Sequence, residues 1–266
     1  MKEAREIPAK RIGAHGASET NDSVLVEEPL EIYVNDRLYT LTMRLVGEEI
    51  PLAVGLCFTD GLIGSADDLR MIRYCNEETG NRIDLYLGDK SKDGVSIIRR
   101  GTTHATYSSC GICGSELVTN ITLSMPKIEK RTRFGYAQIC ECQKALEEMQ
   151  TVHKATGCAH GAGIFDSHGV FLSFAEDVGR HNALDKAIGK VLLSKSADRA
   201  SIIILSSRIS YEMALKAGRL GVEILAAPSA VTSLAIELAS AINLTLIGFL
   251  RNRGGNVYSA PDRIAP

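Results

Sequence analysis

The chain has almost no surplus of charge of either sign: 30 Lys and Arg stand against 32 Asp and Glu, a formal net charge of −2. That balance excludes a global basic field of the kind that draws proteins to nucleic acid, so an anionic ligand has to be caught by local groups. Long apolar runs are also missing. No stretch approaches the uncharged length needed to span a bilayer, and the opening Met1-Lys2-Glu3-Ala4-Arg5-Glu6 lacks the apolar core of a signal peptide. The expected setting is the cytoplasm, with neither membrane nor nucleic acid as partner. Seven cysteines, an odd number, are not expected to form a disulfide framework there. No internal repeat or low-complexity segment is found, which leaves ordinary globular packing. The 266 residues, 45% of them hydrophobic, suffice for a substantial core, read here as two domains.

The upstream part predicts a small α+β unit. Leu30 to Val34 and Leu38 to Met43 alternate around Asn35-Asp36-Arg37, the pattern of a hairpin. Gly47 to Thr59 predicts a helix closed by Gly61, and Met71 to Cys75 with Arg82 to Leu87 a second strand pair. Nothing in this part looks catalytic. Downstream, Ala159 to Phe165 and Val170 to Phe174 predict another hairpin, and Leu184, Ile188, Val191 and Leu192 recur at helical spacing. Ser201 to Leu205 is a short apolar run suited to a strand buried on both faces. Helices from about Tyr211 and Ser233 then alternate with strands at Val222 to Ala226 and Leu244 to Leu250. The expectation is an α/β protein: residues 1–125 form the α+β domain, ending in a dithiol loop, and residues 126–266 form a three-layer α/β domain with a mixed sheet.

That dithiol is Ser109-Cys110-Gly111-Ile112-Cys113-Gly114, two thiols three positions apart in a stretch without apolar periodicity. Cysteines used for packing sit in apolar runs, as Cys57 does in Leu56-Cys57-Phe58; Cys75, Cys140 and Cys142 are read the same way. Thiols between glycines read as an exposed loop reachable by a partner. A persulfide carrier, a redox dithiol and half of a zinc site all fit that description.

Polar residues gather where strands hand over to helices. Glu176 to Asn182, Ser206 to Ser210 and Pro228 to Ser233 each precede a predicted helix. Ligands of open α/β sheets bind at the carboxyl ends of strands, where helix N-termini offer unpaired amides. Arg180 and Arg208 at such turns suit a phosphate-bearing ligand, while plain capping by Ser210, Ser229 or Thr232 is the alternative. Arg251 and Arg253 close the last predicted strand and can grip phosphate or a purine edge. His160 and His181 read either as direct ligand contacts or as structural histidines; His104, His153 and His168 read as surface or turn residues. Asp177 and Asp185 are read as orienting Arg180 or Lys186.

Two chemistries that use Cys-x-x-Cys fit poorly. A zinc deaminase needs His-x-Glu followed by Pro-Cys-x-x-Cys, but His160 is followed by Gly161-Ala162 and Ser109 precedes the dithiol. Cys140 and Cys142 add a Cys-x-Cys pair in a predicted helix, a poor half for a tetrahedral site, so no structural metal is expected. A thioredoxin-like oxidoreductase would open a helix with its dithiol after a strand, and Ser108 to Ser115 lacks that setting.

Glu176-Asp177-Val178-Gly179-Arg180-His181-Asn182-Ala183-Leu184-Asp185-Lys186, taken with the dithiol, Ser206-Ser207-Arg208 and Gly248-Phe249-Leu250-Arg251, resembles the FdhD family of formate dehydrogenase accessory sulfurtransferases. The match runs through nearly the whole chain in order. The resemblance implies a cytidine-deaminase-like α/β domain with an added N-terminal domain, and a homodimer. It implies a sulfur relay in which a cysteine desulfurase loads Cys110 as a persulfide, with Cys113 its companion. The sulfur then passes to the bis-molybdopterin guanine dinucleotide molybdenum cofactor, bound as substrate and destined for formate dehydrogenase. The implied cofactor-binding residues are Phe249, Leu250, Arg251, Asn252, Arg253 and Gly254, with Arg180, His181, Ser207 and Arg208 at the turns. The alternative is a chaperone that presents the cofactor without moving sulfur. Two positions depart from the family pattern: Cys158 stands where a glycine is common, read as a small buried residue, and Val231 where proline is usual.

Overall fold

The computed structural model describes residues 3–14, 16–75, 81–88, 125–129 and 131–265. It opens on an antiparallel ribbon, β1 (Ala4–Gly13) and β2 (Gly16–Leu25), which is largely exposed. The predicted hairpin follows as β3 (Glu27–Val34) and β4 (Arg37–Leu45). Asn35 and Asp36 both adopt positive φ, 48° and 62°, the geometry that lets a two-residue turn match the twist of its strands. Helix α1 (Glu49–Asp60) ends where Gly61, at φ 82°, returns its N–H to the carbonyls of Cys57 and Phe58. β5 (Leu69–Cys75) and β6 (Arg82–Leu87) complete a four-stranded sheet in the order β4-β3-β6-β5.

The remaining residues build a three-layer α/β arrangement. Its elements are β7 (Phe134–Gly135), α2 (Tyr136–Met149), α3 (Thr151–Thr156), β8 (His160–Phe165), β9 (Phe171–Asp177), α4 (Arg180–Leu193) and β10 (Ile202–Leu205). They continue with α5 (Tyr211–Leu220), β11 (Ile224–Ala226), α6 (Ser233–Ala241), β12 (Thr245–Arg251), β13 (Gly254–Ser259) and β14 (Ile264–Ala265). The central sheet runs β13-β12-β11-β10-β8-β9, with β10, β11 and β12 parallel and the other pairings antiparallel. In β10, Ile202 and Ile204 pack with Phe134, Ile139 and Leu146 on the α2 side, while Ile203 and Leu205 join the core under α4, α5 and α6. Burial on both faces is why this strand reads as an unbroken apolar run. Among the described residues, no helix is long and apolar enough to cross a membrane.

The two sheets share one core through the crossing of α1 and α4. A Cβ added at Gly189 would lie 1.9 Å from the Pro51 carbonyl oxygen, and one at Gly55 would lie 1.9 Å from that of Asp185. Backbone meets backbone there, so neither position has room for a side chain. Leu30, Ile32, Leu52 and Cys57 thereby join Leu184 and Ile188 in a single cluster. Cys57 is a packing residue as expected, and burial drives its thiol upward, away from reactivity. Beside the crossing, the buried Asp185 accepts hydrogen bonds from Lys216 Nζ (2.7 Å) and Thr59 Oγ1 (2.8 Å), joining α4 to α5 and α1. This corrects the expectation that Asp185 orients Arg180 or Lys186. Asp185 and Gly189 lie four apart, on the stripe of α4 that faces α1 rather than the helix entrance.

Gly189→Ala is expected to lower stability by about 3 kcal/mol, read from the urea midpoint, because backbone must separate to admit the methyl group. Gly135→Ala, where an added Cβ meets nothing within 4 Å, is expected to stay within about 0.5 kcal/mol of the parent. Equal midpoints for the two variants would contradict the close crossing.

Candidate functional site

Strand directions bring the distant polar segments to one edge. β8 runs against β10 and β9 runs against β8, so the start of β8 lies beside the ends of β9, β10, β11 and β12. The edge therefore carries His160, the Asp177–His181 turn, Ser206–Ser210, Pro228–Thr232 and the hairpin after Phe249. At about 4.8 Å between strands, six strands spread these groups over about 24 Å.

The Asp177–His181 turn is held from below by buried charge. Asp177, fully buried, pairs with the equally buried Lys186 at 2.7 Å. Its carboxylate also accepts the N–H groups of Leu45 (3.1 Å) and Gly179 (3.0 Å) and the Asn182 amide (3.2 Å). Lys186 donates in turn to the Leu45 carbonyl at 2.9 Å, and Asn182 to that of Met43 at 2.8 Å. The expected pairing of Asp177 with Lys186 is thus present, and it ties the first turn of α4 to β4. Arg180 and His181 leave from that anchored turn, half-buried.

His181 Nε2 lies 2.5 Å from Glu212 Oε2, in the first turn of α5. The hydrogen bond from His181 holds the Glu212 carboxyl below the usual range, with the charges of Lys216 and Arg180 acting in the same direction. Nothing in the sequence singled out Glu212, because its partner comes from another helix. His160 faces the same groups: burial, then the charges of Arg180, His153, Arg208 and His181, keep its imidazole below the ordinary histidine value. The cluster is therefore cationic around a histidine that favours neutrality.

The capping alternative does not account for the other turns. Ser210 and Thr232 occupy N-cap positions of α5 and α6, but neither side chain makes a cap hydrogen bond. Ser210 Oγ and Arg180 Nε are buried without partners. Ser206 Oγ accepts the Gly161 N–H at 2.8 Å, tying this turn to β8, and Ser207 Oγ donates to the Arg208 carbonyl at 3.1 Å. Arg208 itself is exposed. Val231, the departure from the family pattern, packs at Gly248, where an added Cβ would lie 2.6 Å from its Cγ2.

In the last segment, side chains alternate across β12. Phe249 is 46% exposed and adopts φ 52°, whereas Leu250 is fully buried with Phe134 and Ile247. Strand periodicity turns the Leu250 side chain into the core, which leaves its backbone as the part that a ligand at this edge could meet. Arg251 Nη1 donates to the Pro228 carbonyl at 2.7 Å, while its own carbonyl accepts the Tyr136 hydroxyl at 2.7 Å. Asn252, Arg253 and Gly254 are exposed at the hairpin tip. Cys158 is exposed too, against the expectation of a buried small residue. Gly157, at φ 68°, ends α3 and turns the chain outward there. Cys140 and Cys142 are buried on the core-facing side of α2. Cys110, Cys113 and His104 lie outside the described residues, and so does the side chain of Cys75.

On the α2 side of this edge lies a cleft of about 360 Å³, between Leu146, Gln150, His153 and Lys154 on one wall and Ser206 and Pro228 on the other. The His153 ring bonds the Ala159 carbonyl through Nδ1 at 2.8 Å.

The model of the FdhD/NarQ family matches residues 25–265. The chain is 36% identical over 273 residues to a sulfur carrier protein FdhD from Streptomyces avermitilis, covering 100% of this chain and 96% of that protein. It is 37% identical over 252 residues to the protein of the same name from Mycolicibacterium paratuberculosis, covering 91% and 92%. A solved structure from Desulfotalea psychrophila, described as that of a formate dehydrogenase accessory protein, superposes with a TM-score of 0.79 at 26% identity, covering 98% of this chain and 99% of that one.

His160 is expected to titrate below about 6.5 in ring-proton NMR, and Arg208→Ala to move it upward without restoring the free value, since burial is the larger cause. Below about 6.5 the unfolded chain then binds more protons at this group than the folded one, so its contribution to stability at neutral pH is lost as pH falls. A His160 titration at or above 6.5, unmoved by Arg208→Ala, would contradict the cluster.

Proposed function

The chain belongs to the FdhD/NarQ family, and from that premise we propose that it is a sulfur carrier that serves formate dehydrogenase. Its substrate is the bis-molybdopterin guanine dinucleotide molybdenum cofactor, and its sulfur comes from a cysteine desulfurase. The observation that supports this reading is convergence: the Glu176–Lys186, Ser206–Arg208 and Gly248–Arg251 motifs, separate in sequence, meet on one sheet edge. An edge of about 24 Å suits an extended dinucleotide better than a compact metabolite.

In this reading Arg180, Arg208 and His181 hold the anionic parts of the cofactor, and Ser207 shapes the turn that presents Arg208. Phe249, Arg251, Asn252, Arg253 and Gly254 close over it from the hairpin, with Leu250 as their anchor in the core. Cys110 takes up sulfur when its thiolate attacks the sulfane sulfur of the desulfurase persulfide. The S–S bond of the donor breaks, the desulfurase leaves as a thiolate, and Cys110 becomes the persulfide. Discharge follows when the Cys113 thiolate attacks the inner sulfur, releasing hydrosulfide to the cofactor and leaving a Cys110–Cys113 disulfide. A thiol reductant returns that disulfide to the dithiol. The two electrons that convert sulfane sulfur to hydrosulfide thus come from the protein. An ordinary thiol, with pKa about 8.5, is only partly ionised at neutral pH, so neighbouring cations favour the attack.

The finer fold and setting belong to the same proposal. The three-layer domain is cytidine-deaminase-like, its boundary with the N-terminal α+β domain falls at residues 125 and 126, and the protein works as a cytoplasmic homodimer. The mixed sheet and the shared edge support the first of these.

Incubation with a desulfurase and cysteine is expected to add about 32 Da, one sulfur atom, to the Cys110 peptide in mass spectrometry. Cys110→Ala is expected to abolish sulfur transfer, and Cys113→Ala to weaken delivery while keeping the adduct. Full transfer by Cys110→Ala would refute the relay. A guanine nucleotide bound without any adduct would favour the chaperone that moves no sulfur.

A further inference from the structure

The β1–β2 ribbon lies outside everything the motifs explain. Each strand is ten residues long, about 34 Å of extended chain. The ribbon is packed near its base, where β2 meets α3 and Leu25 joins Leu45, Val152 and Ala159. Beyond that base most of its residues are exposed, Ile12 to 81%. Two strands alone in water are marginal, and further strands or a packed cover are what stabilise such a ribbon.

Its two edges are built differently. The Val26 N–H bonds the Glu3 carbonyl at 2.9 Å, in line with the register that sets Ala4 opposite Leu25. Bonded and non-bonded pairs alternate along an antiparallel ladder. Arg5, Ile7, Ala9 and Arg11 therefore bond across to β2, while Pro8 and Lys10 on one strand and Ala17, Glu19, Asn21 and Ser23 on the other turn their backbone groups outward. The outer edge of β1 is closed: Pro8 has no N–H to offer, and Lys10 stands beside it. From Gly16 to Leu25, β2 has no Lys, Arg or Pro. Its edge is open to another strand.

The strand that fits this edge is β2 itself. Laid antiparallel to a second β2 about Asn21, it sets Ala17 opposite Leu25, Glu19 opposite Ser23 and Asp22 opposite Thr20. No like charges meet, and each outward backbone group from Ala17 to Leu25 faces another. The same operation on β1, about Pro8, sets Arg5 opposite Arg11 and puts the missing N–H at the centre. Pairing through β2 also leaves the basic strands outside and the acidic ones inside, with Lys10 opposite Glu19 within each ribbon. Ile12 stands opposite Ala17, so across that small residue it shares a face with Leu25 of the second copy. We propose that β2 is a dimer seam: two copies of this chain join their ribbons into one four-stranded sheet about a two-fold axis at Asn21, and Ile12 of each copy packs toward Leu25 of the other. An isologous seam of this kind closes at two copies. It rests on the homodimer reading above and names the surface that forms it.

Light scattering and amide-resolved hydrogen exchange on the full chain test it. Wild-type protein is expected to have the mass of a dimer, and to protect the outward N–H groups of Glu19, Asn21 and Ser23 as strongly as the inward ones of Ser18, Thr20 and Asp22. Asn21→Pro removes an outward donor and no bond to β1, and is expected to give a monomer in which Glu19 and Ser23 exchange freely. Ile12→Ser, at an exposed position where folding is not at issue, is expected to weaken the dimer about tenfold. Lys10→Ala, on the outer strand, is expected to leave the mass unchanged. A dimer untouched by both Asn21→Pro and Ile12→Ser, or free exchange of the outward N–H groups in wild-type dimer, would overturn the seam while leaving the homodimer reading standing. Monomeric wild-type protein would remove both.

Discussion

The buried pair of Asp177 and Lys186 is the interaction on which the site depends. Two charges removed from water are tolerated only when their remaining hydrogen-bonding capacity is met, and here it is met by backbone. Asp177 accepts from Leu45 and Gly179 while Lys186 donates to Leu45, so β9, α4 and β4 are joined at one point. The four-stranded sheet, which carries none of the motif side chains of the edge, thereby fixes the turn from which Arg180 and His181 project. The Gly55–Gly189 crossing and the Asp185–Lys216 pair secure the other face of α4. A helix held on two sides can present charge at its entrance without yielding to it.

The edge above this anchor divides into two environments. On the α4 and α5 side, arginines and histidines cluster around His160. On the α2 and α3 side, an apolar cleft holds one unpaired amide. The Ser206–Arg208 turn belongs to both, because Ser206 lines the cleft while Arg208 faces the cationic cluster. The crossover from β10 to α5 thus places the cationic cluster and the cleft next to each other. This is where open α/β sheets bind ligands in general.

Local signals made much of this legible beforehand. Asn35-Asp36 announced its hairpin, Gly61 its helix end, and the Ile202–Leu205 run a strand buried on both faces. The motif around Gly179 marked the turn, since charged residues gather there between a strand and a helix. What stayed hidden depends on partners distant in sequence. Glu212 is one acidic residue in a helical first turn until His181 arrives from α4. Gln150 looks like any helix-end polar residue until Gly161 and Pro228 enclose it. Asp185 found a different partner for a related reason: a motif marks a segment, but helical periodicity decides which of its side chains face the core. The β1–β2 ribbon, polar and with Pro8 inside it, carried no alternation to read.

The most direct test of the account follows labelled sulfur. Protein loaded with a radiolabelled persulfide is mixed with the molybdenum cofactor, and label is counted on protein and cofactor. The account predicts that label passes from wild-type protein to the cofactor, and that it stays on the protein when Arg180 and Arg208 are replaced by alanine. Equal rates of transfer in the two proteins would contradict it.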